Sequence, residues 1–216
     1  MAASKTYLFS QEYHGQLVPY IAALHASCIL VDQMVGPFLP PLTNEKLLPW
    51  WKERIAEANQ GTRVIVLLLP EMAPGKKPLG TDLRGLAMLK LTETETGSFR
   101  GHIDAVLVNQ KHRRQGGAKA LVAALEYEAA KRGRTLLVRS THTMHAMTAC
   151  SWSRLLTIGG FTPRAQLVDA ETGSIAEAAF KKFGYTEIGK VPAFSRALPN
   201  DKKGETFFYK DLVPSS

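Results

Sequence analysis

Near the start of the chain Leu17, Tyr20, Ile21, Leu24 and Cys28 fall on one face at helical spacing, the mark of a helix with one buried side. The pattern predicts helix over residues 16–60, broken at Gly36-Pro37-Phe38-Leu39-Pro40-Pro41-Leu42, where successive prolines cannot continue helical backbone. Thr43 and Asn44 suit a cap, and residues 45–58 carry Leu47, Leu48, Trp51 and Ile55 on one side before Gly61 ends the helix. Residues 63–69, 83–92 and 101–108 then read as strands, joined by loops rich in proline, glycine and charge.

A helix follows from Ala118 to Gly133, with Leu121, Val122, Leu125 and Ala129 along one face. Later come a strand at 167–169, a helix at 175–183 ended by Gly184, and strands at 186–191 and 205–211. Strands alternating with helices predict an α/β domain, a mixed sheet covered on both faces. At 216 residues the chain is long enough for one large domain, and we read 1–216 as one.

Residues 138–166 break this pattern: 29 residues with three arginines, two histidines, no acidic residue and no sustained period. A structureless loop of that length inside a βα unit counts against the assignment. Without it, Thr135-Leu136-Leu137 would run directly into Leu167-Val168-Asp169 as one strand. The ends, Val138-Arg139 and Gln166, can be encoded by GTACGT and CAG, the usual borders of an intron. We therefore treat 138–166 as an anomalous insertion, either a retained intron or a natural surface insertion.

Composition narrows the function. Apolar residues make up 45% and charged ones 21%, an ordinary globular balance that excludes disorder and fibrous repeats. No apolar run, Val64–Leu69 included, reaches the roughly 20 residues of a membrane span, and the start lacks a leader's apolar stretch. A cytoplasmic protein is expected, with no membrane partner. Two cysteines, Cys28 and Cys150, are too few for a disulfide framework. His142 and His145 have no acidic or cysteine neighbour to complete a metal site, and none is expected. Trp50-Trp51 reads as core packing. The net charge of +8 suits nucleic acid, an anionic small molecule or merely a basic surface. No basic stripe with interleaved aromatics supports nucleic acid.

The residues with most chemical content lie between the third strand and its helix, Arg113-Arg114-Gln115-Gly116-Gly117-Ala118-Lys119-Ala120. A helix N-terminus offers unpaired N–H groups and partial positive charge, and small residues let an anion approach the backbone. Arg113, Arg114 and Lys119 add full charges, which suits a pyrophosphate. The spacing fits neither GxxxxGK[ST] nor GxGxxG.

Together with Val106-Leu107-Val108, this run resembles motif A of the GNAT N-acetyltransferase superfamily. Ala176-Glu177-Ala178-Ala179-Phe180-Lys181-Lys182-Phe183-Gly184-Tyr185 resembles its motif B helix. Val35-Gly36-Pro37-Phe38-Leu39-Pro40-Pro41-Leu42, Ile188-Gly189-Lys190-Val191-Pro192 and Thr206-Phe207-Phe208-Tyr209-Lys210-Asp211-Leu212 are similar to the tabtoxin-resistance subgroup. The resemblance covers nearly the whole chain except 138–166. It implies a mixed, mostly antiparallel sheet with a central parallel strand pair and helices on both faces.

The resemblance also implies acetyl-CoA as co-substrate and direct transfer to a primary amine of a small molecule in a ternary complex, with a protein amine as the alternative acceptor and a catalytically impaired CoA-binding protein as a further one. The pantetheine would bond the backbone of Val106 and Val108, with an oxyanion donor near Val106 or Leu107. The pyrophosphate would rest on the backbone of Gln115, Gly116, Gly117, Ala118, Lys119 and Ala120. The position of the family's glutamate base holds His102, which has a pKa suited to the task, and Gly101-His102-Ile103-Asp104 is similar to the paired arrangement of serotonin N-acetyltransferase, with Asp104 in the second place. Phe180 stands where the family has a tyrosine acid, leaving Tyr185, water or no acid. Asp169 matches a subgroup carboxylate that holds the amine.

Overall fold

A computed structural model of the chain describes residues 4–32, 37–140, 165–173, 175–182, 184–198 and 201–211. Strand β1 (Ser4–Leu8) precedes α1 (Gln11–His14), a short 3-10 turn and α2 (Val18–Asp32); α3 (Asn44–Asn59) then leads to the antiparallel strands β2 (Arg63–Pro70), β3 (Gly85–Leu91) and β4 (Arg100–Val108). Next come α4 (Gly117–Lys131), β5 (Leu136–Ser140), β6 (Ala165–Glu171), α5 (Ile175–Lys182) and the hairpin β7 (Thr186–Leu198) and β8 (Asp201–Asp211). The sheet order is β1-β2-β3-β4-β5-β6-β8-β7.

Two neighbouring pairs, β4 with β5 and β5 with β6, are parallel, and all others are antiparallel. The mixed, mostly antiparallel sheet is therefore as expected, but its parallel centre has three strands instead of two. The third arises where one continuous strand from Thr135 to Asp169 was anticipated. The two halves lie side by side, from Leu136 opposite Ala165 to Ser140 opposite Asp169, at a constant offset of 29 residues. Residues 141–164, with His142, His145 and Cys150, lie outside the described residues.

The apolar residues of α2 and α3 pack on one face around Leu17, Ile21, Trp51, Ile65, Leu67, Met88 and Leu107. On the other face α4 places Leu121, Val122 and Leu125 over Val66, Leu68, Val106 and Val108. Each strand of this half has both faces covered, which is why β2 is buried from Arg63 to Leu69 and reads as a continuous apolar run. Leu137 faces α4 and is level with Gln166 on β6. Tyr185, just beyond α5, bonds Gln166, so α5 covers the same face as α4. Helices thus lie on both faces, as expected.

Three elements differ from expectation. β1 has only five residues at the sheet's end, with a mixed burial pattern too weak to read as alternation. β7 and β8 run well beyond 186–191 and 205–211, across Pro192 and the positive-φ Ala193. Proline survives there because β7 is an edge strand with one row of amides unused by the ladder. Finally, the helical run Gln11–Val31 is long and apolar enough to span a membrane by length and composition, contrary to the sequence expectation. Its Leu17, Ile21, Leu24, Cys28 and Ile29 are packed into the core.

Candidate active site

The site begins at a defect in β4. Met88 lies opposite Ala105 and Leu89 opposite Ile103, so Asp104 has no partner on β3 and forms a β-bulge. A bulge bends its strand and often ends pairing on one side. Here β4 pairs with β5 only from Arg100 to Ile103, while β5 continues to Ser140 against β6. Among the described residues β5 ends at Ser140, and residues 104–108 have no described strand on that side.

The backbone groups of β4 left free by β3 follow from register. Asn109 donates to the Arg84 carbonyl across the β3 side at 2.8 Å. Antiparallel partners alternate between bonded and non-bonded pairs, so Leu107 bonds β3, whereas Val106 and Val108 turn their N–H and C=O groups away from β3. The Val108 carbonyl already accepts from Arg113 Nε at 3.1 Å, which ties the next loop to the strand end. Val106 and Val108 keep their side chains in the α4 core.

Beyond Val108 the loop enters α4. Arg114 and Gly116 both take left-handed backbone, with φ of +60° and +79°, a turn geometry that gathers successive N–H groups into an anion-binding concavity. The first helical bond is from Ala120 N–H to the Gly116 carbonyl, so the amides of Gly117, Ala118 and Lys119 precede it and face outward from the helix. Gly116 has open space where a Cβ would stand, but a Cβ on Gly117 would meet Leu68 Cδ2 at 2.6 Å. One glycine supplies the conformation and the other close packing on the sheet. Arg114 and Gln115 are exposed, and Lys119 and Ala120 half-buried. These groups fit a diphosphate: free amides, a helix N-terminus and basic side chains, with no carboxylate among residues 113–120.

His102 and Asp104 are both present on β4, but not as a dyad. Asp104 accepts from Arg63 Nη1, and Arg63 Nε donates to Glu57 Oε2 at 2.5 Å. His102 is half-buried. Burial holds its pKa below the ordinary value; Asp104 opposes that shift, and Arg100 and Lys90 add to it. It is therefore neutral near pH 7 and able to accept a proton.

Asp169 is on the same face as His102, since Leu167 is level with Val138 and Val138 with His102; two strand spacings across and two residues along place its Cα about 12 Å away. Its carboxyl contacts Glu205, which burial and the Asp169 charge push up to about 8, with Ser195 opposing. Glu205 therefore keeps its proton at neutral pH. Tyr185 is elsewhere: its hydroxyl donates to Gln166 Oε1 at 2.5 Å, with its ring against Phe180 on the α5 side. Sequence reading missed Arg63 and Glu205. A charged residue opening the apolar run 63–69 was the available signal for Arg63. No signal marked Glu205, which shares a strand face with Phe207 as any residue two positions away does.

A mixed sheet with parallel strands at its centre, and a helix N-terminus after β4, is the arrangement that the GNAT resemblance implies. The model of the acetyltransferase (GNAT) family matches residues 47–149. The chain is similar in fold to the N-acetyltransferase from Staphylococcus aureus Mu50 (TM-score 0.58, 13% identity, covering 98% of this chain and 100% of that one). It is also similar to the ribosomal-protein-alanine N-acetyltransferase from Brucella melitensis (0.57, 14%, 96% and 99%) and to YncA from Salmonella typhimurium with its cofactor acetyl-CoA (0.58, 12%, 99% and 96%). No curated protein matches the chain, so the tabtoxin-resistance subgroup stands on motif likeness alone.

Proposed function

We propose that the chain transfers an acetyl group from acetyl-CoA to a primary amine of a small molecule. The observation that carries this reading is the turn with free amides at the α4 N-terminus, next to the backbone of Val106 and Val108 that is not used by β3. Bound acetyl-CoA supplies an acyl thioester. The seat at residues 114–119 holds its diphosphate, and the backbone of Val106 and Val108 aligns its arm. An alkylammonium has a pKa near 10, so the amine must lose a proton before it attacks, and His102 accepts it. We assign no proton transfer to Tyr185, whose hydroxyl is bound to Gln166; a thiol of pKa near 8.5 leaves without a dedicated acid. Asp169, on the same face, attracts the ammonium. His102 is half-buried, which favours a slim acceptor. A protein N-terminus is the second reading, favoured by the similarity to a ribosomal-protein-alanine N-acetyltransferase.

Calorimetry with CoA tests the reading. The wild type binds, and Gly116→Val, which forces a branched side chain onto a φ of +79° at the seat, weakens binding at least tenfold. No heat or thermal shift at millimolar CoA discards the reading. With turnover established, His102→Ala lowers kcat at least tenfold and removes the fall in rate below the His102 pKa, whereas an unchanged pH profile clears His102 of the role.

A further inference from the structure

We infer that Lys90 and Arg100 hold a carboxylate of the acceptor, so that the amine acetylated beside His102 belongs to the amino-acid class; this rests on the acetyl-CoA reading above and names the substrate for the same site. Lys90 lies directly opposite His102 in the β3–β4 ladder. Its neighbours Leu89 and Leu91 face α4, so Lys90 turns to the other side of the sheet, as His102 does next to the α4-facing Ile103. Arg100 precedes His102 by two residues on β4 and shares that side. His102 thus has one cation across the ladder and another along its own strand. Both act on it, each helping to push its pKa down.

Neither cation is neutralised among the described residues. Lys90 is exposed and no carboxylate pairs with it there. Arg100 rests against the Phe99 ring at 5.7 Å, and its Nε is buried without a hydrogen-bond partner. Asp104, the acidic residue of β4, is taken by Arg63, which also binds Glu57. A buried guanidinium N–H left unpaired is costly, and a carboxylate answers both its geometry and the charge of the pair. The opposite charge lies on the other flank. Lys90, His102, Val138 and Leu167 stand in one row across β3, β4, β5 and β6, and Asp169 is two residues further along the same face. Three strand spacings across and two residues along place the Lys90 and Asp169 Cα atoms about 16 Å apart, with His102 between them. Cations, base and carboxylate therefore follow the order of charges in a short zwitterion: its carboxylate toward Lys90 and Arg100, its ammonium toward Asp169, its nitrogen by His102. A plain alkylamine satisfies Asp169 and leaves both cations without a partner.

That difference gives the test. Rates of the full chain with saturating acetyl-CoA compare amino acids with the amines that lack their carboxylate: phenylalanine with phenethylamine, leucine with 3-methylbutylamine, alanine with ethylamine. In at least one pair the kcat/KM of the amino acid exceeds that of its amine at least tenfold, because the amine leaves polar groups of the site unpaired. Lys90→Met, at an exposed position, lowers that ratio at least fivefold, chiefly through the KM of the amino acid, and Lys90→Glu inverts it; Arg100→Gln acts in the same direction. Should Arg100→Gln fail to melt cooperatively, the two Lys90 variants decide alone. Amines preferred in every pair, or a ratio that survives Lys90→Glu, overturn the inference, and so does a wild type that binds CoA and acetylates no member of any pair. A wild type that does not bind CoA in calorimetry fails the acetyl-CoA reading itself, and the inference falls with it.

Discussion

On the β1–β4 side of the sheet, seventeen buried apolar residues pack under α2 and α3 and fourteen, with Leu137 of β5 as a fifteenth, under α4, among the described residues. On the β6–β8 side the buried apolar cluster has five, Val168, Ala170, Phe180, Tyr185 and Phe208, all toward α5, while the other face buries Asp169 and Glu205. The first half is held by apolar burial on two faces. The second depends on a thin core and on polar groups whose partners and protonation must be right. The seat, the bulge and His102 all stand on or next to β4, in the firm half.

The largest blow to this contrast is Trp51→Ala. Trp51 is fully buried where α3 meets the sheet, and its loss costs about 3–5 kcal/mol, read as a fall in the urea midpoint. An unchanged midpoint would show that the first half is not held by this packing.

The first half has a titratable weakness of its own, His25, set among Phe38, Trp50 and Trp51. Burial lowers its pKa to about 4, and Nδ1 has no partner. The folded form thus resists a proton that the unfolded chain takes up near 6.5. Stability from His25 is full above pH 6.5 and is lost as pH falls toward 4, by about 3 kcal/mol. His25→Phe, an aromatic replacement, flattens that limb; melting at pH 7.5 and 4.5 measures it, and an acid limb that persists in the variant assigns it elsewhere.

Glu205 gives the opposite sign on the other side. Its folded pKa, about 8, exceeds the ordinary 4.5, so the folded form retains a proton that the unfolded chain gives up, and stability falls as pH rises from 4.5 to 8. Glu205→Gln stabilises by on the order of 1 kcal/mol at pH 8 and by less at pH 5. A gain independent of pH would mean that the Asp169 contact does not hold the proton.

Much of the first half was legible because its signals are local. The helical spacing over α3 and α4 and the long run of β2 each state their burial directly, and Gly116-Gly117 states the turn. The bulge was not legible, because Gly101-His102-Ile103-Asp104 alternates like a regular strand and only the register with β3 shows the extra residue. Asp104 beside His102 suggested a dyad, whereas its carboxylate is claimed by Arg63, 41 residues away in the chain. Tyr185 was legible as a helix-ending aromatic, but not as a partner of Gln166, a residue in the segment that broke the pattern.

The constant spacing of β5 and β6 carries one more consequence. Val138, Arg139 and Ser140 lie level with Leu167, Val168 and Asp169, the very residues that would replace them if 138–166 were excised. Excision would move the downstream chain sideways by one strand width, about 4.8 Å, and keep its register along the strand. Two spliced forms, one of seven strands and one of eight, would then share an inner rim, and comparing their melting curves and CoA isotherms decides the matter. A shortened form that neither melts cooperatively nor binds would show that the longer chain is the one the sheet requires.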